Sequence, residues 1–168
     1  MANTFELIAS STVGSGGAAS IDFTSIPSTY TDLILVVNAK VSSAGQVLEL
    51  QYNSDTGTNY SATELFGNGT SAASARRSSV SSYQTSWDIV NFPNVDFGNA
   101  IVHLMNYSNT TTYKTFLSRT NSPSATYGGV VTNVGLWRST SAINSIKIFV
   151  SSTFVTGSTF TLYGITAA

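Results

Sequence analysis

Short stretches in which apolar and polar residues alternate recur along the whole chain, with turn-forming residues between them. Gln46–Tyr52 places Leu48, Leu50 and Tyr52 on one side of a strand, and Ser42–Gly45 precedes it as a hairpin-type turn. No stretch of a dozen residues keeps the period of an amphipathic helix. About ten such short strands predict an all-β fold, a single antiparallel β-sandwich that is jelly-roll-like.

Neutral polar side chains must form much of the surface. Only 9% of the 168 residues are charged and the formal net charge is −1, whereas Ser, Thr and Asn are abundant. This charge provides no basic field for a nucleic-acid backbone, so no nucleic-acid partner is expected. The lack of cysteine excludes disulfides, thiolate nucleophiles and cysteine zinc sites. The length fits one domain, residues 1–168, that contacts partners by surface complementarity.

The apolar sides of the strands define the expected hydrophobic core. The strongest strand is Asp32–Val41, whose nearly continuous apolar stretch predicts a central position in a sheet. The residues expected in the core are Leu33, Leu35, Val37, Leu48, Leu50, Ile101, Leu117, Val131, Ile146, Ile148 and Leu162.

The segment from Gly67 to Ser86 differs in composition from its surroundings. Gly, Ser, Ala and Thr dominate it, and Val80 is its one branched aliphatic residue. Because such a segment buries little apolar surface, residues 67–86 are expected to form a mobile loop that becomes ordered only against a partner. Arg76 and Arg77 would then meet carboxylates or carbonyl oxygens of a neighbouring subunit.

The residue types that catalysis requires are scarce and scattered. His103 is the single histidine, so a His-based metal site is not expected, and no Ser–His–Asp arrangement is visible. The carboxylates show no spacing typical of a glycosidase pair. We expect a protein that is not an enzyme and that needs no cofactor.

One segment has the spacing of a calcium loop. Asn53, Asp55 and Asn59 supply oxygen atoms at alternate positions, and Glu64 follows as a closing carboxylate. The position that a calcium loop reserves for glycine holds Thr58 instead. An Asx-rich β-turn explains the same residues, so the four are weak metal candidates and no metal is expected.

Aromatic side chains offer a second way to bind a partner. Trp87 and Tyr83, with the other tyrosines, could stack on sugar rings at a carbohydrate-binding surface. Trp137 lies within a predicted strand, which favours core packing. The expected partner-binding residues are therefore Tyr83 and Trp87 together with Arg76 and Arg77.

The start of the chain, Met1–Leu7, has neither the basic nor the apolar region of a secretory signal. The longest apolar run, Leu33–Val37, is too short to span a bilayer, so no membrane partner is expected. A protein made in a cytoplasm, yet with a surface typical of the extracellular space, is expected in a virus particle. Its low net charge protects poorly against self-association, so we expect a homo-oligomer, with a trimer favoured.

Two segments of the chain carry a resemblance to known proteins. The first is Ile21-Asp22-Phe23-Thr24-Ser25-Ile26-Pro27-Ser28-Thr29-Tyr30-Thr31-Asp32-Leu33-Ile34-Leu35. The second runs from Ile143-Asn144-Ser145-Ile146-Lys147-Ile148 to Gly157-Ser158-Thr159-Phe160-Thr161-Leu162-Tyr163-Gly164-Ile165. Together they resemble segments of small β-sandwich virion proteins of tailed bacteriophages, including cyanophage-like ones. The resemblance implies a structural function and brings no catalytic residues with it.

The resemblance leaves two functions open. One is a capsid decoration (cement) protein that binds and stabilises the shell of the major capsid protein. The alternative is a tail-fibre or baseplate module that binds a receptor or a surface glycan. Both place the protein in the virion, in contact with other virion proteins.

Overall fold

Twelve β-strands make up the described part of the chain. The computed structural model describes residues 4–86, 91–123 and 128–166, and these residues contain no helix. The strands are β1 (Phe5–Thr12), β2 (Ala18–Phe23), β3 (Asp32–Ala39), β4 (Glu49–Tyr52), β5 (Tyr60–Gly67), β6 (Ala72–Val80), β7 (Tyr83–Gln84), β8 (Gly98–Met105), β9 (Lys114–Ser122), β10 (Gly129–Trp137), β11 (Ile146–Phe154) and β12 (Thr159–Ile165).

These strands form two sheets packed against each other. The large sheet has eight strands in the order β1-β12-β3-β8-β9-β10-β5-β6, and the small sheet has four in the order β2-β11-β4-β7. The strand pairs in both sheets are antiparallel. The chain passes repeatedly from one sheet to the other. The predicted all-β, antiparallel β-sandwich is confirmed.

The hydrophobic core lies between the sheets. In β3, Leu33, Leu35 and Val37 alternate with half-exposed neighbours and are fully buried. The small sheet contributes Leu50 and Ile148, which are also fully buried. This alternation is the pattern of a sheet with one face against a core.

Two of the predicted core residues, Ile101 and Leu117, lie outside the core. Both belong to the large sheet but point away from the small sheet, and 43% of Leu117 is exposed. Their neighbours Val102 and Phe116 occupy the interior instead. Because a strand's side chains alternate between faces, a run that is apolar at successive positions does not show which position is inside.

The predicted mobile loop at residues 67–86 is wrong. Most of the segment forms β6, an edge strand that pairs with β5 from Ala72 opposite Gly67 to Val80 opposite Tyr60. Tyr83 and Gln84 form β7, which pairs with β4. A strand obtains its main-chain hydrogen bonds from its neighbour whatever its side chains are, so small polar residues do not prevent pairing.

Candidate functional site

The side of the large sheet that points away from the small sheet, here called the outer face, carries apolar side chains. A row of cross-strand neighbours runs from Tyr163 through Ile34, His103 and Leu117 to Val134. Val134 is 56% exposed. Apolar side chains thus line the outer face across five neighbouring strands.

Two further apolar side chains extend this surface toward one edge of the sheet. Leu65 and Val130 are 64% and 63% exposed. Both line a surface groove of about 590 Å³ between β5, β6 and β10. The outer face therefore includes the apolar residues Ile34, Leu65, Ile101, Leu117, Val130, Val134 and Tyr163.

The corresponding surface of the small sheet is polar. Asp22 and Gln51 flank Lys147 on neighbouring strands, and Lys147 is exposed. Its Nζ lies 5.5 Å from the ring centre of Phe149, which is half-buried. This is the normal surface of a sheet in water. The apolar outer face is thus a property of one sheet and not of the whole molecule.

In the middle of the large sheet the usual polarity is reversed. Leu117 and Val134 point outward. Ser118, which follows Leu117, and Asn133, which precedes Val134, are buried between the sheets. Glu64 of β5 is buried on the same inner side. An antiparallel sheet beside water normally has polar residues outside. Apolar patches on a surface mark interaction sites, so this reversal makes the outer face the candidate functional site.

Three buried polar side chains behind this part of the sheet, those of Tyr83, Ser118 and Asn133, are hydrogen-bonded to one another. The hydroxyl of Tyr83 lies 2.8 Å from that of Ser118 and donates to Oδ1 of Asn133 at 3.3 Å. Nδ2 of Asn133 donates to the carbonyl of Gln84 at 2.9 Å. Burial raises the pKa of Tyr83 above its ordinary value. These bonds connect the large sheet to β7 of the small sheet.

The interpretation of Tyr83 as a partner-binding residue is therefore wrong, because its ring is fully buried. Tyr52, Tyr60 and Tyr107 are buried as well and offer no stacking surface to a sugar. Trp87, the other aromatic residue predicted to bind a partner, lies outside the described residues.

The two arginines of β6 have different surroundings. Arg77 Nη1 donates to Oε1 of Gln84 at 2.9 Å, and Nε2 of Gln84 donates to Oε2 of Glu49 at 3.3 Å. Arg77 thus connects the edge of the large sheet to the small sheet. Arg76 is exposed on the outer face, opposite Thr63. Binding of a partner by the two arginines stays a prediction, and Arg76 is the one placed on the candidate site.

The proposed calcium loop is a hydrogen-bonded turn around Asp55. Its carboxylate accepts hydrogen bonds from Nε1 of Trp137 at 2.6 Å, from Nδ2 of Asn59 at 2.9 Å and from the amide of Gly57 at 2.8 Å. Burial raises the pKa of Asp55, but these three hydrogen bonds lower it by more, so the pKa lies below its ordinary value. The carboxylate is therefore engaged as an Asx turn would engage it.

The other metal candidates, Asn53 and Glu64, have different surroundings from Asp55. Oδ1 of Asn53 accepts hydrogen bonds from the amides of Asn144 and Ser145, at 2.9 and 3.2 Å. Glu64 is buried within β5, between the sheets. Among the residues that the structure describes, no group of three His, Cys, Asp or Glu side chains could hold a metal ion.

His103 belongs to the outer face, and its ring lies within ion-pair distance of the Asp32 carboxylate. Nε2 of His103 lies 2.9 Å from Oδ2 of Asp32, and Oδ1 of Asp32 accepts a hydrogen bond from the amide of Asn106 at 2.7 Å. Both oxygens of this carboxylate are thus occupied. His103 thus connects β8 to the first residue of β3 through the Asp32 carboxylate, which is a structural contact.

No protein-family model matches this sequence, and no curated protein matches it either. In residues 4–86, 91–123 and 128–166 there is no helix long and apolar enough to cross a membrane. The proposal of a function therefore rests on the fold and on the outer face.

Sequence reasoning missed the outer face as a site. Its residues, among them Val134 and Arg119, belong to no sequence motif, so a motif does not identify them. The available signal was in β9, where Leu117 and Arg119 alternate with Phe116, Ser118 and Thr120. Each of these two sets contains both polar and apolar residues. Such a pattern indicates a strand that makes contacts on both of its faces.

Proposed function

We propose that this chain is a structural protein of a tailed-bacteriophage particle, a capsid decoration protein that binds the shell of major capsid protein through the outer face. The observation that carries the proposal is the reversed polarity of β9 and β10, where Leu117 and Val134 face outward over Ser118 and Asn133. Such a surface loses contact with water when a partner covers it, which favours association.

The size of the outer face supports a specific interface. Eight strands about 4.8 Å apart and about eight residues long cover roughly 800 Å² between the two outermost strands. A stable protein–protein interface buries about 800 Å² on each partner. The low charge of the chain and the two segments that resemble phage virion proteins support the same proposal. A decoration protein that binds only the assembled shell stabilises it by mass action.

The test uses particles that lack this protein. Adding the purified chain back should restore their tolerance to heat or osmotic shock. The double variant Leu117→Ser/Val134→Ser should not restore it, because it removes apolar surface from the outer face. A matched variant of the small sheet, Gln51→Ser/Lys147→Ser, should act like the original chain. Particles that are equally robust with and without the protein would exclude the decoration function.

A tail-fibre module that binds glycans is a second candidate. Phe5 is exposed at one edge of the outer face and makes an edge-to-face contact with Tyr163, with ring centres 6.5 Å apart. Exposed aromatic rings are the side chains that stack on sugars. A glycan array would detect this function, and binding should then be lost in Phe5→Ala. Copy number per particle separates the two candidates, because a decoration protein that covers the shell is present in many more copies than a tail protein.

A further inference from the structure

Arg119 is a charged residue in the middle of the apolar outer face. Its direct cross-strand neighbours are Ile101 on β8 and Thr132 on β10. Leu117 precedes it by two positions on the same side of β9. The guanidinium therefore lies among aliphatic and methyl-bearing side chains and is exposed.

No carboxylate of the described residues pairs with Arg119. Asp32, which begins β3 near the outer face, is bonded to His103 and to the amide of Asn106. Glu64 is buried on the inner side of β5. Within the part of the chain that the structure describes, Arg119 has neither a hydrogen bond nor an ion pair of its side chain.

Two grooves flank Arg119, and it lines both. One has a volume of about 330 Å³ and is also lined by Ile101 and Val130. The other has a volume of about 250 Å³ and is also lined by Ile34 and Leu117. A partner that engages the guanidinium is thus in position to fill an apolar groove on each side of it.

We propose that Arg119 binds a carboxylate of the partner protein, whose flanking apolar side chains occupy the two grooves. The inference rests on the proposed function, in which the partner is the capsid shell. Arginine and carboxylate form paired, charge-assisted hydrogen bonds, and arginine is enriched among the residues that dominate binding energy. The partner segment is therefore an Asp or Glu with an apolar residue on each side.

A second copy of this chain does not fit as the occupant. Two outer faces packed together would bring in two Arg119 guanidinium groups. Among the described strand residues, the acidic side chain on the outer face is Asp32, which His103 already engages. Desolvated charges without a partner oppose association. Charge complementarity thus favours a different protein.

The experiment measures the affinity of the purified chain for shells that lack it, over a series of salt concentrations. Arg119→Met keeps much of the aliphatic volume but removes the charge, and it should weaken binding roughly 30-fold. Its affinity should also depend less on salt than that of the original chain. Arg119→Lys should recover part of the loss, since it restores the charge but not the paired geometry. Lys147→Met, which removes a positive charge from the exposed side of the small sheet, is the matched control and should bind nearly normally.

The outcomes separate this inference from the proposed function. If Arg119→Met binds with unchanged affinity and salt dependence while Leu117→Ser/Val134→Ser does not bind, the inference is overturned and the proposed function stands. If the original chain does not bind shells at all, both fail. Sedimentation that shows a dimer abolished by Leu117→Ser would make a second copy the occupant and overturn the inference. Thermal unfolding of each variant confirms that the fold is intact.

Discussion

The inner and outer sides of β9 and β10 invert the polarity expected of a sheet beside water. The inner side presents Ser118 and Asn133 to the small sheet, where Tyr83 and Gln84 satisfy them. The outer side presents aliphatic residues that nothing in the described chain covers. The difference shows that a polar side chain can be buried where hydrogen-bonding partners are available, because a hydrogen-bonded polar group is stable in the interior. An apolar surface on the outside of a sheet is typical of an interaction site that a second molecule covers.

The largest effect should come from disturbing the contact between Tyr83 and Gly135. A Cβ added at Gly135 would lie 2.2 Å from Cε2 of Tyr83, whose ring is fully buried and cannot move away. We expect Gly135→Ala to lower the free energy of unfolding by about 3 kcal/mol. Gly16→Ala, where the added Cβ meets nothing within 4 Å, is the control. Equal urea midpoints for the two variants would contradict the inner side as described.

Adjacent residues of β10 provide the sharpest test of the inverted polarity. Asn133→Val removes the Nδ2 donor from the Gln84 carbonyl and leaves the Tyr83 hydroxyl with Ser118 alone, and should cost about 2 kcal/mol although it makes the interior more apolar. Val134→Thr makes the outer face more polar and should change stability by less than about 0.5 kcal/mol. Urea denaturation measures both. The opposite order of effects would mean that the two faces are assigned the wrong way round.

Alkaline pH should destabilise the protein through its buried tyrosines. Burial raises the pKa of Tyr52, Tyr60 and Tyr83, so above about pH 10 the unfolded chain releases these protons before the folded protein does. The stabilisation is therefore complete below pH 10 and is lost as the pH rises, at about 1.4 kcal/mol per pH unit for each tyrosine.

Tyr83→Phe should reduce this alkaline slope by the contribution of one proton. Val134→Thr, on the outer face, removes no titratable group and should keep the full slope. Urea unfolding at several pH values between 9 and about 12 measures both slopes. An unchanged slope in Tyr83→Phe would show that the hydroxyl is not held in a dry interior.

The smallest effect separates the two arginines of β6. Arg77→Ala removes the hydrogen bond to Gln84 that connects the two sheets, and should cost about 1 kcal/mol. Arg76→Ala, on the outer face, should change stability by less than about 0.5 kcal/mol. Thermal unfolding compares the two variants directly. Equal losses would indicate that both arginines, or neither, connect the sheets.

The sequence predicted the strands well where only one face is apolar. In β4 the alternation of Glu49 and Gln51 with Leu50 and Tyr52 showed both the strand and its buried side. It failed at β6, because Ser and Ala residues carry no periodic signal and the strand is held by main-chain hydrogen bonds to β5. Those bonds depend on a partner that lies several residues away in the sequence and adjacent in space.

By itself the sequence determined that this protein is an all-β sandwich with few charged residues. Only the tertiary structure decided which side of each strand is inside. Leu117 and Ser118 are neighbours in β9, and a pattern with a period of two residues is the same whichever of them is buried. Their assignment depends on what each side meets: the Tyr83 hydroxyl on the inner side, and the surface proposed for a partner on the outer side.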